Sequence, residues 1–156
     1  MSVKSFVEDA EFLWLNKRTE GAWTQALIAT AATSKKRYPL MKDGEAFKKF
    51  IIDIAGILIT GDTNAPSMHL KFYDNVRGDG SNLEDVLYKE FRCNMVHEAT
   101  TKRVKFSKSI RTKQGSQAQL HLSGSGSSIN GKIPNFWVLH IIKALRVAPE
   151  NHDEFI

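Results

Sequence analysis

Apolar side chains recur every three to four residues over the first hundred positions, which is the period of amphipathic helices. A first helix is predicted over residues 3–16. A second is centred on residues 23–31 and ends before Pro39, because the residue preceding a proline disfavours helical geometry. A third begins at Asp43. Apolar residues cover most of its sides as far as Leu58, so we expect this helix to lie at the centre of the core.

A fourth helix is predicted to begin near residue 81, after a loop rich in glycine. Ser81 followed by Glu84 has the spacing of a capping box, in which two side chains bond to backbone amides at the start of a helix. The helical period of apolar residues then continues through Leu83, Leu87, Phe91 and Met95. Residues 67–80 give no clear pattern.

Beyond residue 100 the pattern changes from helical to alternating. "RVKFSKSI" and "QAQLHLSG" alternate apolar and polar positions, as strands with one buried face do. The intervening "RTKQGS" suits the turn of a hairpin, and "GSGSSINGK" is interpreted as a Gly/Ser-rich loop. Pro134 suits the first turn of a last helix, which is strongly apolar.

These elements predict a mainly helical fold. We expect a single-domain, up-and-down bundle of four to five helices with a small β-hairpin before the last helix. Residues 1–150 would form this domain, and residues 151–156 a polar C-terminal tail. A chain of 156 residues is long enough to enclose one hydrophobic core, and no linker is long enough to divide it.

Composition argues against several classes of protein. The most apolar run, "FIIDIAGILIT", is broken by Asp53 and is too short to span a bilayer. Charged residues among the first fifteen positions are unlike a secretory signal peptide. Cys93 is the single cysteine, which excludes an internal disulfide framework and a cysteine-rich zinc site. The histidines lack metal-ligand spacing. We therefore expect a cytoplasmic protein with no membrane attachment, no metal and no other cofactor.

The positive charge of the chain is concentrated in sequence. The formal net charge is +5, from 22 Lys and Arg residues against 17 Asp and Glu residues. One stretch without acidic residues contains Lys102, Arg103, Lys105, Lys108, Arg111 and Lys113. A second cluster, residues 35–37, ends the second predicted helix. Clustered cations favour phosphate backbones because binding releases counterions, although basic runs are also common on solvated surfaces.

An arginine and a histidine lie five residues apart in "YKEFRCNMVHEA", on the fourth predicted helix. At about 100° per residue, Arg92 and His97 are separated by roughly 140° around an α-helix, on the side opposite the apolar stripe. Histidine exchanges protons near neutral pH, and an always-charged guanidinium binds phosphate. The pair therefore suits the chemistry of phosphodiesters.

Arginine, four to six residues and then histidine, on a late helix of a small bundle, resembles the HEPN superfamily. Many of its members are metal-independent RNases that act as toxins or in phage defence. The resemblance covers the helical pattern of roughly residues 1–100, and its specific part is the short motif. It implies a cleft at a homodimer interface, where Arg92 stabilises the scissile phosphate. His97 would act as general base or acid while a ribose 2′-hydroxyl attacks the phosphorus.

The resemblance also implies partners. These are RNA as the substrate, a second copy of the chain and, as in toxin and defence systems, an antitoxin or partner protein. The residues expected to bind nucleic acid are Asn94, Lys102, Arg103, Lys105, Lys108 and Arg111, with residues 35–37 as a further backbone contact.

Two other interpretations remain open. The family usually has a polar residue, often asparagine, directly after the arginine, whereas Cys93 takes that place here and Asn94 follows. This departure fits a non-catalytic, dimeric module that binds RNA or a partner protein. The other alternative is a helical domain unrelated to HEPN, whose basic hairpin docks an acidic protein.

Several other residues are interpreted as structural. "GSSINGKI" satisfies a phosphate-loop pattern, but Ile133 takes the place of the Ser or Thr that would reach magnesium, so nucleotide binding is not expected. Asp53 and His140 lie among apolar residues, where a hydrogen-bonded structural role is more common than a catalytic one. The tryptophans at 14, 23 and 137 are expected to anchor the core.

Overall fold

The structure, a computed structural model, describes residues 2–73, 80–93, 104–107, 110–112, 115–117, 121–125 and 128–156. Most of the described chain is helical, and the fold is a single-domain helical bundle, which confirms the predicted class. Its first three helices are α1 (Val3–Leu15), α2 (Thr19–Arg37) and α3 (Asp43–Thr60). A short helix, α4 (Leu83–Val86), continues as a π-helical segment, Leu87–Cys93, and α5 (Trp137–Val147) is the last long helix.

Helix α3 lies at the centre of the core, as its apolar residues predict. Its buried apolar side chains are at most 7% exposed, and they are Ala46, Phe47, Phe50, Ile51, Ile54, Ala55, Ile57 and Leu58. Helix α2 adds Leu27, and α5 adds Ile141 and Leu145, all fully buried. Burial of one such large apolar side chain stabilises a fold by about 1.5–3 kcal/mol. This shared cluster therefore holds the helices together.

Two of the three tryptophans anchor the core as expected. Trp23 is fully buried and Trp137 is 4% exposed, while Trp14 packs against the core from a partly buried position. The indole N–H of Trp23 donates to the backbone carbonyl of Asn135 at 3.0 Å. That bond fixes the start of α5 against α2.

The turn between α1 and α2 has the hydrogen bonds of a Schellman motif. The Arg18 amide donates to the Leu13 carbonyl at 2.9 Å, and the Lys17 amide donates to the Trp14 carbonyl at 3.0 Å. Lys17 has a φ of 60°, a left-handed conformation that usually belongs to glycine at this position. The two helices are thus joined by a tight turn that ends in two cations.

Close backbone contacts fix the chain after α3. Gly61 ends the helix with a φ of 71°, and its amide donates to the Ile57 carbonyl at 2.7 Å. The chain then runs back along α3, where the Met68 amide donates to the Ile52 carbonyl. A Cβ atom on Gly56 would lie 2.2 Å from the Pro66 carbonyl oxygen, so only glycine allows this approach.

The start of α4 differs from the predicted capping box. Ser81 lies in strand β2 (Gly80–Asn82), which pairs antiparallel with β1 (Lys71–Tyr73). Asn82 is the residue that precedes the helix, and its side-chain amide donates to Asp85 at 3.2 Å. The capping-box prediction is wrong because pairing with β1 holds Ser81 in an extended ladder.

Five further short strands lie between the π-helical segment and α5 in the described chain. They are β3 (Val104–Ser107), β4 (Ile110–Thr112), β5 (Gly115–Gln117), β6 (His121–Ser125) and β7 (Ser128–Pro134). Strands β4 and β5 form an antiparallel pair where the hairpin turn was expected. Strands β6 and β7 form another antiparallel pair directly before α5, and β3 joins the other edge of β7 in parallel.

The interpretation of residues 124–132 as a loop is wrong at residues 124–125 and 128–132, which lie in strands, while residues 126–127 lie outside the described residues. Residues 128–134 form β7, the central strand of a three-stranded sheet, because strands on both sides pair with its backbone. Pro134 ends this strand opposite Ser107 and does not open the last helix, which begins at Trp137. The Gly/Ser composition did not reveal these non-local pairings.

The polar C-terminal residues pack against the bundle. Pro149–Glu154 form a 3-10 helix that contacts α1 and α2. Asn151 is fully buried, and its side-chain amide donates to the Thr33 hydroxyl at 2.9 Å and to the Leu145 carbonyl at 3.0 Å. The segment expected only as a polar tail therefore contributes a buried polar contact.

None of the helices in the described ranges combines the length and apolar character that a membrane-spanning helix needs.

Candidate functional site

Arg92 lies in the last turn of the π-helical segment, with its side chain partly buried. In such a segment the backbone bonds run from residue i to residue i+5, and this winding is frequent at functional sites. None of the ion pairs between described residues includes Arg92. A permanent cation is therefore held at a locally widened helix.

Contacts with α3 hold α4 and the π-helical segment in place. Leu83 and Leu87 are fully buried in the core. The ring of Tyr88 lies 5.6 Å from the ring of Phe47, between centroids. A Cβ atom on Gly44 would lie 2.9 Å from the Tyr88 hydroxyl, so the absence of a side chain at residue 44 makes room for this ring. The helix that carries Arg92 is therefore packed into the core and against α3.

An ion pair adds to this anchoring. Lys48 of α3 lies 2.8 Å from Asp85 of α4, between the ammonium nitrogen and a carboxylate oxygen. The hydrogen bond to Lys48 lowers the pKa of Asp85, and the same bond raises the pKa of Lys48. Both groups are therefore charged throughout the neutral pH range, and the contact persists there.

The structure describes only part of the predicted site. His97, Asn94, Lys102, Arg103 and Lys108 lie outside the described residues. The backbone of Lys105 lies in β3 and that of Arg111 lies in β4, which belong to different sheets. Among the predicted site residues, Arg92 is thus the one whose surroundings are defined.

The register of the three-stranded sheet brings basic positions together. Lys105 of β3 is opposite Lys132 of β7, and Lys132 is opposite His121 of β6. These three positions form one row across the sheet. The adjacent row contains Val104, Gly131 and Leu122, so apolar and polar rows alternate across the strands. Sequence reasoning did not include Lys132 or His121, because β7 was interpreted as a loop.

The basic cluster at residues 35–37 is paired with acidic residues of the same chain. Lys35 lies 3.0 Å from Asp43, Lys36 pairs with Glu154, and Arg37 pairs with Asp53 and Glu150. The expectation that this cluster holds an RNA backbone is therefore not supported. The positive charge of this cluster is largely balanced by carboxylates from other parts of the chain, which the sequence around residues 35–37 does not reveal.

Arg37, Tyr38 and Asp53 form a hydrogen-bonded group between α2 and α3. One guanidinium nitrogen of Arg37 donates to Asp53 at 3.0 Å, and the Tyr38 hydroxyl donates to the same carboxylate oxygen. Burial, followed by the bond to Asp53, raises the pKa of Tyr38 to about 12. Asp53 is thus a hydrogen-bonded structural residue, as predicted. The guanidinium of Arg37 also lies 4.7 Å above the ring of Phe50.

His140 is held in a structural position near the end of α3. Its Nδ1 atom lies 2.7 Å from the Leu58 carbonyl oxygen, and its ring makes an edge contact with Phe136 at 5.3 Å. Burial lowers the pKa of His140, so the ring is neutral at pH 7 and Nδ1–H donates to the carbonyl. The imidazole joins α5 to α3.

Within the described residues, no group of three or more His, Cys, Asp and Glu side chains is arranged to hold a metal ion.

A family model named Rv1289 matches residues 2–156. The chain belongs to the Rv1289 family. No curated protein matches the chain, and no solved structure matches it. The Rv1289 match includes α1, the segment with Arg92, the three-stranded sheet and the C-terminal 3-10 helix. All of these elements therefore belong to the region that defines the Rv1289 family.

Proposed function

We propose that the chain is a metal-independent endoribonuclease of HEPN type. Arg92 and His97 would lie in a cleft at a homodimer interface and cleave RNA through attack by the ribose 2′-hydroxyl. The observation that carries this proposal is the position of Arg92, a partly exposed cation at the end of a π-helical segment that contacts α3. RNA and a second copy of the chain are the partners, and the cytoplasm is the compartment.

The relative direction of the Arg92 and His97 side chains would depend on the winding of the helix between them. On an α-helix, residues five apart are separated by roughly 140°, which directs two side chains away from each other. Hydrogen bonds from residue i to residue i+5 bring residues five apart toward one face of the helix. Arg92 and His97 would share one face if the winding of residues 87–93 extended to His97, which lies outside the described residues.

Arginine and histidine have separate roles in this chemistry. The guanidinium of Arg92 offers planar donors to a phosphate, so it would stabilise the negative charge that builds in the transition state. Histidine as a residue type can exchange protons near neutral pH, so His97 would take the proton from the 2′-hydroxyl or deliver one to the leaving 5′-oxygen. Neither role needs a metal ion.

The row of Lys105, Lys132 and His121 would bind the RNA backbone. Two lysines at neighbouring positions suit phosphates, and their contribution should fall as salt rises, because binding releases counterions. Asn94, Lys102, Arg103, Lys108 and Arg111 remain the other proposed contacts. An antitoxin or defence-system partner protein would act by covering this basic region.

Cys93 favours one alternative function. It takes the place of the polar residue that HEPN RNases usually have after the arginine. A chain that kept the fold and the basic row, but lost the chemistry, would be a dimeric module that binds RNA or a partner protein without cleaving it.

RNA cleavage in the presence of EDTA tests the proposal. Wild-type protein should cleave structured RNA and leave 2′,3′-cyclic phosphate ends, whereas Arg92→Ala and His97→Ala should lower the rate by at least about 100-fold. Lys89→Ala is the matched control for charge, because Lys89 is an exposed cation of the same segment, and His152→Ala is the control for an exposed histidine. Both controls should cleave like wild type.

Two results would contradict the nuclease. Activity that survives in both Arg92→Ala and His97→Ala would show that other groups, or a contaminant, carry it. RNA that is bound but never cleaved, with an affinity that falls on charge removal at Lys105 and Lys132, would favour the non-catalytic module. Circular dichroism and thermal melting of each variant show whether a loss of activity comes from the removed side chain or from unfolding of the protein.

A further inference from the structure

The outer face of α1 carries two large apolar side chains that remain exposed. Phe12 is 66% exposed and Leu15 is 79% exposed, although the opposite face of the same helix is buried through Val7 and Ala10. Residues three apart on an α-helix are neighbours on its surface. Phe12 and Leu15 therefore form one apolar patch, which the described part of the chain leaves uncovered.

Charges of opposite sign flank this patch along the helix axis. The exposed residues Glu8 and Asp9 precede Phe12, and the exposed residues Lys17 and Arg18 follow Leu15. Among the ion pairs between described residues, only one involves any of these four charges, the pair of Glu8 with Lys4 at 4.0 Å. The surface thus runs from acidic through apolar to basic, and most of its charge is unbalanced locally.

The turn after α1 fixes the basic end of this surface. Hydrogen bonds from the Lys17 and Arg18 amides to the carbonyls of Trp14 and Leu13 hold the turn against the helix. Lys17 adopts a φ of 60° where glycine is usually preferred. Lys17 therefore places a cation directly beyond the patch, although its positive φ is a backbone conformation that residues with a Cβ atom rarely adopt.

We propose that this face of α1 is a self-association surface that binds the same face of a second copy in antiparallel orientation. A two-fold axis between Phe12 and Leu15 places Phe12 of each copy against Leu15 of the other. Asp9 precedes Phe12 by three residues and Arg18 follows Leu15 by three residues. The same two-fold axis therefore places Asp9 of each copy against Arg18 of the other. A parallel arrangement would set like charges side by side. Charge complementarity therefore identifies a second copy of this chain as the occupant.

The surface lies on a different element from Arg92, the residue of the proposed RNA site whose surroundings the structure describes. Helix α1 packs against α2, α5 and the C-terminal 3-10 helix, whereas Arg92 follows α4. Two apolar side chains per copy make a small interface, so we expect a dimer with a dissociation constant on the order of 10 µM. Association through α1 does not depend on RNA cleavage, and either can fail without the other.

Sedimentation equilibrium of the full chain, over a range of concentrations, tests the surface. The double variant Phe12→Asp, Leu15→Asp should weaken the association step made through α1 by at least about 30-fold, because two carboxylates would replace the apolar contact, and it should leave a dimer through the proposed cleft unchanged. Leu40→Asp is the matched control, since Leu40 is a fully exposed leucine outside α1, and it should associate like wild type. Circular dichroism should be unchanged in both, because all three side chains are exposed.

A charge exchange tests the antiparallel orientation. Asp9→Arg and Arg18→Asp should each weaken association by about tenfold, and the two together in one chain should restore it. A chain that is monomeric at about 100 µM overturns self-association. A dimer that is indifferent to Phe12→Asp, Leu15→Asp overturns the surface, and such a dimer would instead fit contact through α4. Failure of the combined exchange to restore association overturns the orientation.

Discussion

Arg37 and Glu150 join the end of α2 to the C-terminal 3-10 helix across 113 positions of sequence. One guanidinium nitrogen of Arg37 donates to a Glu150 carboxylate oxygen at 3.1 Å, and a second nitrogen donates to the other oxygen. This two-bond geometry is stronger than a single contact between flexible ions. Both side chains are about one-fifth exposed, at 22% and 19%, so solvent screens the pair only in part.

Glu150→Gln should destabilise the fold by about 1–3 kcal/mol, because it leaves a half-buried guanidinium with a weaker partner. Urea denaturation at pH 7 measures the change in the free energy of unfolding. Asp43→Asn is the control, since the carboxylate of the Lys35–Asp43 pair is 89% exposed and its loss should cost less than about 0.5 kcal/mol. Equal effects of the two substitutions would contradict the structural role of the Arg37–Glu150 pair.

The stabilisation from Glu150 should depend on pH. Burial favours the neutral form, but the hydrogen bonds from Arg37 outweigh it and lower the pKa of Glu150 below its usual 4.5. A lowered pKa in the folded state stabilises the fold above the unfolded pKa, and this contribution is lost as pH falls through the folded value. The difference between wild type and Glu150→Gln should therefore be full at pH 7 and shrink in acid. If the difference in unfolding free energy between wild type and Glu150→Gln grew in acid, the pKa of Glu150 would be raised in the folded state rather than lowered.

Tyr38→Phe should lower the free energy of unfolding by about 1 kcal/mol at neutral pH, because Asp53 loses one hydrogen bond. The pKa of Tyr38 rises from 10.0 to about 12, so the neutral phenol stabilises the fold below pH 10. That contribution is lost as pH rises through about 12. Tyrosinate absorbance should show an ionisation near pH 12 that is missing from the variant. Its persistence in Tyr38→Phe would assign it to another tyrosine.

Lys17→Gly should stabilise the fold by about 0.5–1 kcal/mol, because glycine adopts a positive φ without a Cβ clash. Lys17→Ala removes the same charge and keeps the clash, so it serves as the control and should not stabilise the protein. Thermal unfolding of the three chains makes the comparison. If alanine and glycine act alike, charge rather than backbone conformation controls the turn.

Two helical glycines should respond oppositely to alanine. Gly56→Ala forces a Cβ to within 2.2 Å of the Pro66 carbonyl oxygen, and we expect a loss of more than about 2 kcal/mol. Gly21→Ala meets only the end of the Leu13 side chain at 3.2 Å, and the higher helix propensity of alanine should leave that variant neutral or more stable. Chemical denaturation measures both. A tolerated Gly56→Ala would contradict the close approach of residues 65–66 to α3.

Local patterns predicted the helices well and the long-range contacts poorly. The apolar positions of α3 recur at helical spacing, so its central place in the core could be inferred from residues 43–58 alone. The pairing of Arg37 with Glu150 could not be inferred from the sequence, because Glu150 lies far along the chain and no local pattern relates the two residues. Strand β7 was missed for the same reason, since its strand geometry comes from β3 and β6 rather than from its Gly/Ser composition.

The sequence likewise predicted only those features of the candidate site that depend on local residue types and spacing. Residue types and spacing were enough to select Arg92 as a phosphate-binding cation. No local sequence feature that we can identify predicts the π-helical winding around it. Lys132 and His121 emerged only from strand register, which places them in the row of Lys105.

The attachment of the 3-10 helix to α2 also has a consequence for synthesis on the ribosome. Until residues 150–154 have been made, the cations at 36 and 37 lack two carboxylates that later hold them. A nascent chain that has completed α5 should therefore still be sensitive to protease near the end of α2. Emergence of residues 150–154 would then bring protection, because Glu150 and Glu154 can pair with Arg37 and Lys36 only after α5 has been made.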